Sequence, residues 1–199
     1  MLTKCGDSSL VVDKLCDQMG EQHAAVTCFY FDFAARKEQT ATSMLGSILR
    51  QVISGTERVP EDIWRALEEQ KMAVSGRNPQ RGDIVKILQL ITSSRRTFMV
   101  IDALDESTAV QRFRLFDSLK EILEKSPGTR IFVTGRPHIC PEIETRFAGR
   151  VTSVSVGPTR DDIVRFLRVR LSEDETPDAM DETLEAEILE KIPGIISEM

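Results

Sequence analysis

Two short stretches hold the residue types and spacings that can do chemistry. The first is Phe98-Met99-Val100-Ile101-Asp102-Ala103-Leu104-Asp105-Glu106. Four apolar residues read as a buried strand, and Asp102 emerges at its C-terminal end. In open α/β sheets ligands collect at that carboxyl edge. A carboxylate placed there can hold Mg²⁺, directly or through water, beside nucleotide phosphates. Asp105 and Glu106 follow at a spacing that sets a second carboxylate near a γ-phosphate, where it can orient a water. The plain alternative is a strand that ends in an acidic turn; the added Asp-Glu pair favours chemistry. The second stretch is Arg130-Ile131-Phe132-Val133-Thr134-Gly135-Arg136-Pro137-His138. It too is an apolar strand, ending in Thr134 and followed by Gly135 and Arg136. A guanidinium fixed at the same sheet edge can contact a terminal phosphate and report its presence. Otherwise Gly135 and Pro137 simply make a turn and Arg136 lies in water.

These residues need a frame, and the hydrophobic pattern supplies one. Ala25 to Phe31 is short, aromatic and β-branched, which predicts a buried strand. With the two stretches above it makes three apolar strands. Val151 to Val156 alternates valine with Thr152, Ser153 and Ser155, and predicts a fourth, less buried strand. Helical stripes lie between them: Val11, Val12, Leu15, Cys16 and Met19 over Leu10–Met19, then Met44, Leu45, Ile48, Leu49, Val52 and Ile53. Pro60 predicts another helix start, with Ile63, Trp64 and Leu67, and Ser75-Gly76-Arg77-Asn78-Pro79 an internal loop. A helix then carries Ile84, Ile87, Leu88 and Ile91. After Asp102, the residues Val110, Phe113, Phe116, Leu119 and Leu123 are expected on the inner side of a helix ended by Ser126-Pro127-Gly128. Thr159 before Asp161-Asp162 predicts a capped helix with Ile163, Phe166, Leu167 and Leu171 inward. Ser172 to Asp181 reads as an acidic linker, and Leu184, Ile188 and Leu189 mark a helix before Pro193-Gly194.

Strands apolar on both faces, alternating with amphipathic helices, predict a three-layer α/β/α fold with a mostly parallel sheet and a helical C-terminal extension. The expected organisation is a core over residues 1–171, followed by a linker and the start of a helical region over 172–199.

Composition narrows the function classes. The chain has 199 residues, 41% hydrophobic and 29% charged, as in ordinary globular proteins. No run approaches the roughly 18 apolar residues of a membrane helix, and the first residues lack a secretory signal. A net charge of −6 argues against nucleic acid, which needs a clustered positive surface. Arg95-Arg96 and the series Arg165, Arg168, Arg170 read as solvated faces among acidic neighbours. Cys5, Cys16, Cys28 and Cys140 form no C-x-x-C pair, and with His23 and His138 they make a poor metal site. A reduced, cytoplasmic protein is expected.

Taken in order, Cys28-Phe29-Tyr30-Phe31-Asp32-Phe33, Ile101-Asp102-Ala103-Leu104-Asp105-Glu106 and Thr134-Gly135-Arg136-Pro137-His138 resemble the NACHT domains of STAND P-loop NTPases. The resemblance is greatest to the nephrocystin-like group of large fungal NOD-like proteins. Pro127-Gly128-Thr129-Arg130-Ile131-Phe132 and Arg160-Asp161-Asp162-Ile163 add to it, and it runs from about Leu10 to Met199. It implies Asp102 as the Walker B magnesium residue, with Asp105 and Glu106 as the acidic pair near the attacking water. It implies Thr134 and Arg136 at the nucleotide, Arg136 as a sensor, and Mg²⁺ with ATP or GTP as cofactors. It also implies a nucleotide-driven switch controlling assembly of a larger protein.

The sequence departs from that family at one place. A phosphate-binding loop needs G-x-x-x-x-G-K-[ST], because its glycines expose backbone N–H groups and its lysine reaches the phosphates. The family sets this loop before the helix read over Leu10–Met19, where this sequence has Thr3-Lys4-Cys5-Gly6-Asp7-Ser8-Ser9. Weak or absent nucleotide hydrolysis is therefore expected, in a chain read as truncated at both ends. In the family the loop leaves a central strand flanked by the one ending in Thr134. Without it, Val151–Val156 must close the gap or leave a cleft lined by apolar side chains. The expectation is a four-stranded sheet with the Cys28, Val100 and Phe132 strands adjacent. The competing expectation for function is a non-enzymatic module that docks onto full-length relatives or onto itself.

Overall fold

The computed structural model describes residues 5–19, 24–55, 79–173 and 182–197, together with residues 61, 64, 65 and 68. Most of the helix expected after Pro60, most of the loop over residues 75–79 and most of the linker over residues 172–181 lie outside the described residues.

Contacts divide the chain into two compact units, Met1–Val151 and Thr152–Met199. The first is built on a parallel sheet of strands β1 (Ala25–Tyr30), β2 (Thr97–Asp102) and β3 (Thr129–Val133), in the order β1-β2-β3. Cys28 lies opposite Val100, and Val100 opposite Phe132, so the three expected strands are adjacent as read.

Helices cover both faces, and the period-2 alternation of a strand decides which residue meets which layer. Met99 and Ile101 enter the main core. Against them pack α2 (Ala41–Ser54), α3 (Arg81–Ser94) and α4 (Ala109–Lys125). Phe98 and Val100 point the other way, toward Val11 and Leu15 of α1 (Cys5–Met19). In α2, Met44, Leu45, Ile48 and Val52 are fully buried at helical spacing. Each such side chain contributes about 1.5–3 kcal/mol of transfer free energy. The entry of α2 is fixed by Thr40, whose hydroxyl accepts from Ser43 N–H while Ser43 Oγ accepts from Thr40 N–H.

The inner face of α4 differs from the expected one. Leu115, Phe116, Leu119 and Ile122 are buried, whereas Val110 and Phe113 are exposed. A helix wedged against both α2 and α3 is phased by the side chains that fill that corner, and here Leu115 and Ile122 fill it. Phe113 is covered instead by the Arg146 guanidinium, 3.8 Å from its ring centroid. Arg95 also departs from the solvated reading: its guanidinium donates to Gly55 O at 3.0 Å and Ala24 O at 3.1 Å.

The expected fourth strand is absent among the described residues: 151–159 form no regular structure and are exposed throughout. Alternation makes a segment fit for a sheet, but a strand exists only where a neighbour supplies the other half of the ladder. Among the described residues the sheet therefore has three strands, and an apolar cleft lies between α1 and the sheet, lined by Val11, Leu15, Phe98, Val100 and Phe132.

The sheet's two edges are treated differently. At β1 the side chain of Gln51 lies along the strand: Cys28 N–H donates to its Oε1 at 2.9 Å, and its Nε2 donates to Cys28 O at 2.8 Å. One side-chain amide thus does the work of a neighbouring strand at that position. The outer edge of β3 has no such cover among the described residues.

After β3 the chain makes a short 3-10 turn and α5 (Cys140–Arg146). The second unit holds α6 (Arg160–Ser172) and α7 (Glu182–Ser197), which pack on each other. Thr159 caps α6 as expected, in a capping box with Asp162. Of the expected stripe Ile163 is buried, whereas Phe166 is exposed, its ring facing the Arg170 guanidinium. Helix α7 does not stop before Pro193 but runs through it. The proline is buried, and burial of its ring offsets part of the cost of the missing N–H. Among the described residues no helix is long and apolar enough to cross a membrane.

Candidate functional site

The candidate site stands where β2 and β3 end side by side. Three buried residues, Met99, Val100 and Ile101, fix β2 at the centre of the sheet and carry Asp102 to its C-terminal edge. Asp102 is only 3% exposed. A buried carboxylate needs polar partners, and Thr134, directly after β3, supplies one: its hydroxyl donates to Asp102 Oδ1 at 2.5 Å.

Thr134 also sets the turn that follows Asp102. Its Oγ1 accepts from Ala103 N–H at 3.0 Å and its carbonyl accepts from Leu104 N–H at 3.0 Å. Its own N–H donates to Ile101 O at 3.0 Å. These bonds hold Ala103 in the left-handed region, at φ 52°, a conformation that costs an L-residue roughly 1–2 kcal/mol. The reversal turns the chain into the 3-10 turn Leu104–Glu106, bringing Asp105 back toward the end of β3.

Asp105 meets Arg136 there. Arg136 N–H donates to Asp105 Oδ1 at 3.2 Å, and Arg136 Nε lies 3.2 Å from Oδ2. The Asp105 side chain is 4% exposed while that of Arg136 is 64% exposed. The carboxylate is thus fixed in the protein, and the guanidinium that balances it stands in solvent. Gly135 permits this approach. A Cβ on it would lie 2.5 Å from Ile139 Cδ1 and 3.4 Å from Asp105 Oδ1. Glu106 closes the same turn, half-buried, with no hydrogen bond or ion pair to its side chain among the described residues.

All five sequence-selected residues therefore meet in one corner, as two linked pairs, Asp102 with Thr134 and Asp105 with Arg136, and with Glu106 beside them. Sequence reading missed the residues that brace the corner. Arg112 Nη1 donates to Ser107 O at 2.7 Å, and its Nε pairs with Glu142 Oε2 at 3.0 Å, tying the acidic turn to α5. Arg36 Nη2 reaches the same carbonyl at 3.4 Å. Neither arginine lies in a motif; each looks like an ordinary helix or loop charge until the fold closes. Asp32, at the end of the first quoted segment, accepts from Ala34 N–H at 2.9 Å and shapes its own turn.

No group of three or more His, Cys, Asp or Glu side chains among the described residues could hold a metal. The corner is thus no dedicated metal cage. A magnesium ion carried in with a nucleotide asks less of the protein, one or two carboxylates, since phosphates and water supply the rest. Asp102, with Glu106 nearby in the chain, fits that smaller demand. The Cys16 thiol is pushed above its ordinary value by burial first, then by Asp13, Asp17 and Cys28, so it stays protonated and is a poor nucleophile.

No curated protein matches this chain. No solved structure matches it either. The sequence pattern of the family described as nephrocystin 3, N-terminal, matches residues 5–136. That span covers about two thirds of the 199 residues and takes in α1, the whole sheet and every candidate site residue, ending on Arg136. The chain belongs to the nephrocystin 3 N-terminal family.

Proposed function

We propose that this chain carries the Mg²⁺–nucleotide edge of a NACHT-type STAND signalling NTPase core, and that by itself it binds nucleotide weakly and hydrolyses little or none. The observation that carries the reading is the placement of Asp102. It is a buried carboxylate at the C-terminal end of the central strand, oriented by a threonine hydroxyl, with a guanidinium two residues beyond that threonine.

In this reading Asp102 faces the magnesium ion and Thr134 holds it in the required rotamer. Asp105 and Glu106 are the acidic pair that orients the attacking water, and Arg136 contacts the terminal phosphate. Bound Mg²⁺ would supply neutralisation of the phosphate charge. The paired state of Asp105 and Arg136 adds a condition. A phosphate that draws the guanidinium to itself takes it from Asp105, so contact with the ligand and this ion pair compete. Weak binding follows from the sequence, since no G-x-x-x-x-G-K-[ST] string lies in these residues to cradle phosphates with backbone N–H groups.

Isothermal titration with Mg-ATP and Mg-GTP tests this. The expected result is binding weaker than micromolar that disappears in Asp102→Ala. Micromolar affinity would overturn the weak-binding half of the reading, and affinity indifferent to Asp102→Ala would overturn the site.

A second reading, a non-enzymatic module that docks onto relatives or onto itself, is favoured by one observation: the apolar cleft between α1 and the β2 and β3 strands.

A further inference from the structure

We propose that Arg112 is the positioning residue of the acidic pair: it sets where the Glu106 carboxylate stands, and Glu142 in turn sets Arg112. Arg112 takes this role within the reading of the sheet edge as a Mg²⁺–nucleotide site, on which the proposal rests. The two members of the pair are held differently. Asp105 is fixed by its own carboxylate, which accepts from Arg136 N–H at 3.2 Å and faces Arg136 Nε at 3.2 Å. The Glu106 side chain is half-buried and has no hydrogen bond or ion pair among the described residues. Its direction is therefore inherited from the backbone on either side of it.

That backbone is anchored twice. In front, Glu106 N–H donates to Ala103 O at 2.9 Å, in the turn that Thr134 shapes. Behind, Ser107 is buried and its carbonyl accepts from Arg112 Nη1 at 2.7 Å. Arg36 Nη2 lies 3.4 Å from the same oxygen, and Arg36 Nε is buried with no partner among the described residues. A charge-assisted hydrogen bond is strong at about 2.7–2.9 Å, a distance that Arg112 meets and Arg36 does not. Arg112 is the anchor.

The surroundings of Arg112 fit such a task. A cation is disfavoured near the N-terminal end of a helix, yet Arg112 is the fourth residue of α4 and its side chain is only 12% exposed. Taking a guanidinium out of water is costly unless partners offset it. Glu142 is that partner: Arg112 Nε donates to Glu142 Oε2 at 3.0 Å, while Nη1 of the same plane reaches Ser107 O. A rigid fork serves both acceptors in one fixed geometry, which the single ammonium of a flexible lysine does not. Glu142 lies on α5, in the segment that follows Arg136, and α5 is pinned to α4 by Arg146 Nη1 and Asp117 Oδ1 at 2.9 Å. One stretch of chain thus grips the acidic turn at both ends, by Arg136 at Asp105 and by Glu142, through Arg112, behind Glu106.

Trace Mn²⁺ with ATP, titrated into the full chain carrying isotope-labelled carboxyl groups, tests this by paramagnetic broadening of the Asp102 and Glu106 NMR signals. Both are expected to broaden in the wild type, and in Asp102→Ala the Glu106 signal should stay sharp. In Arg112→Lys the Asp102 signal should broaden as before, while the effect at Glu106 falls at least about threefold, as a displacement of about 1 Å would give. Glu142→Ala should match Arg112→Lys, and it keeps the test open if the lysine variant does not fold. Glu142→Gln, which retains an acceptor oxygen for Arg112 Nε, should keep the wild-type pattern. A wild type without broadening, or Glu106 broadening that survives Asp102→Ala, would overturn the nucleotide reading and the proposal with it. A normal Glu106 effect in both Arg112→Lys and Glu142→Ala would overturn the proposal alone. So would equal losses at Asp102 and Glu106 in those variants, the mark of a merely structural role.

Discussion

Thr134 holds Asp102 by a hydroxyl donated at 2.5 Å, and the same oxygen accepts from Ala103 N–H at 3.0 Å. A single atom thus orients the carboxylate and shapes the turn after it. Thr134→Val keeps the volume but takes one hydrogen bond from each of two groups, the Asp102 carboxylate and the Ala103 amide. A lost hydrogen bond costs about 0.5–1.5 kcal/mol, and about 1.5–3 kcal/mol where one partner is charged. The variant should lose about 2–4 kcal/mol in urea unfolding on that scale, whereas Thr134→Ser should lose much less because it keeps the hydroxyl.

Gly135 is required for space. An alanine there meets Ile139 Cδ1 at 2.5 Å, and overpacking of this kind costs about 1–3 kcal/mol. Ile139→Val removes that methyl. In a double-mutant cycle, Gly135→Ala with Ile139→Val should cost less than the sum of the two single changes. Additive losses would show that the strain lies elsewhere.

Arg136 and Asp105 should separate stability from ligand contact. The guanidinium is 64% exposed, and exposed ion pairs contribute about 0–1 kcal/mol. Arg136→Ala should therefore leave the unfolding midpoint nearly unchanged while removing whatever nucleotide affinity exists. Asp105→Ala should destabilise more, because the Arg136 backbone N–H loses its acceptor at 3.2 Å. Equal unfolding losses for the two would contradict this division.

The cap of α6 should be pH-sensitive. Hydrogen bonds from the Thr159 hydroxyl and then the Thr159 backbone hold Asp162 below the ordinary carboxylate range, with Arg165 adding to them. A depressed folded value means the contribution is present above the unfolded pKa and is lost as pH falls through the folded one. Helicity measured by circular dichroism should fall as the pH drops below about 4, and Asp162→Asn should lack the step that the wild type shows.

Much of this structure was legible in the sequence because local rules and the final fold agreed. The runs ending at Asp102 and Thr134 are apolar on both faces, and only a central sheet position accommodates that. Thr159 and Asp162 carry their cap in four residues. Other features depended on partners distant in sequence. Val151–Val156 has the composition of a strand and no described neighbour to make it one. Val110 and Phe113 continue a plausible stripe, yet α4 is phased by its corner against α2 and α3. The left-handed Ala103 left no trace, since alanine does not advertise that conformation. Nothing in the sequence marks Gln51, and its task at Cys28 appears only when α2 reaches the sheet margin.

That Gln51 contact limits what the protein can build. A sheet bare on both flanks could be extended molecule after molecule, the route by which ribbons and fibrils grow. At Cys28 the glutamine amide already holds the backbone groups that such growth would need, so a ribbon extended at β1 would first have to displace it.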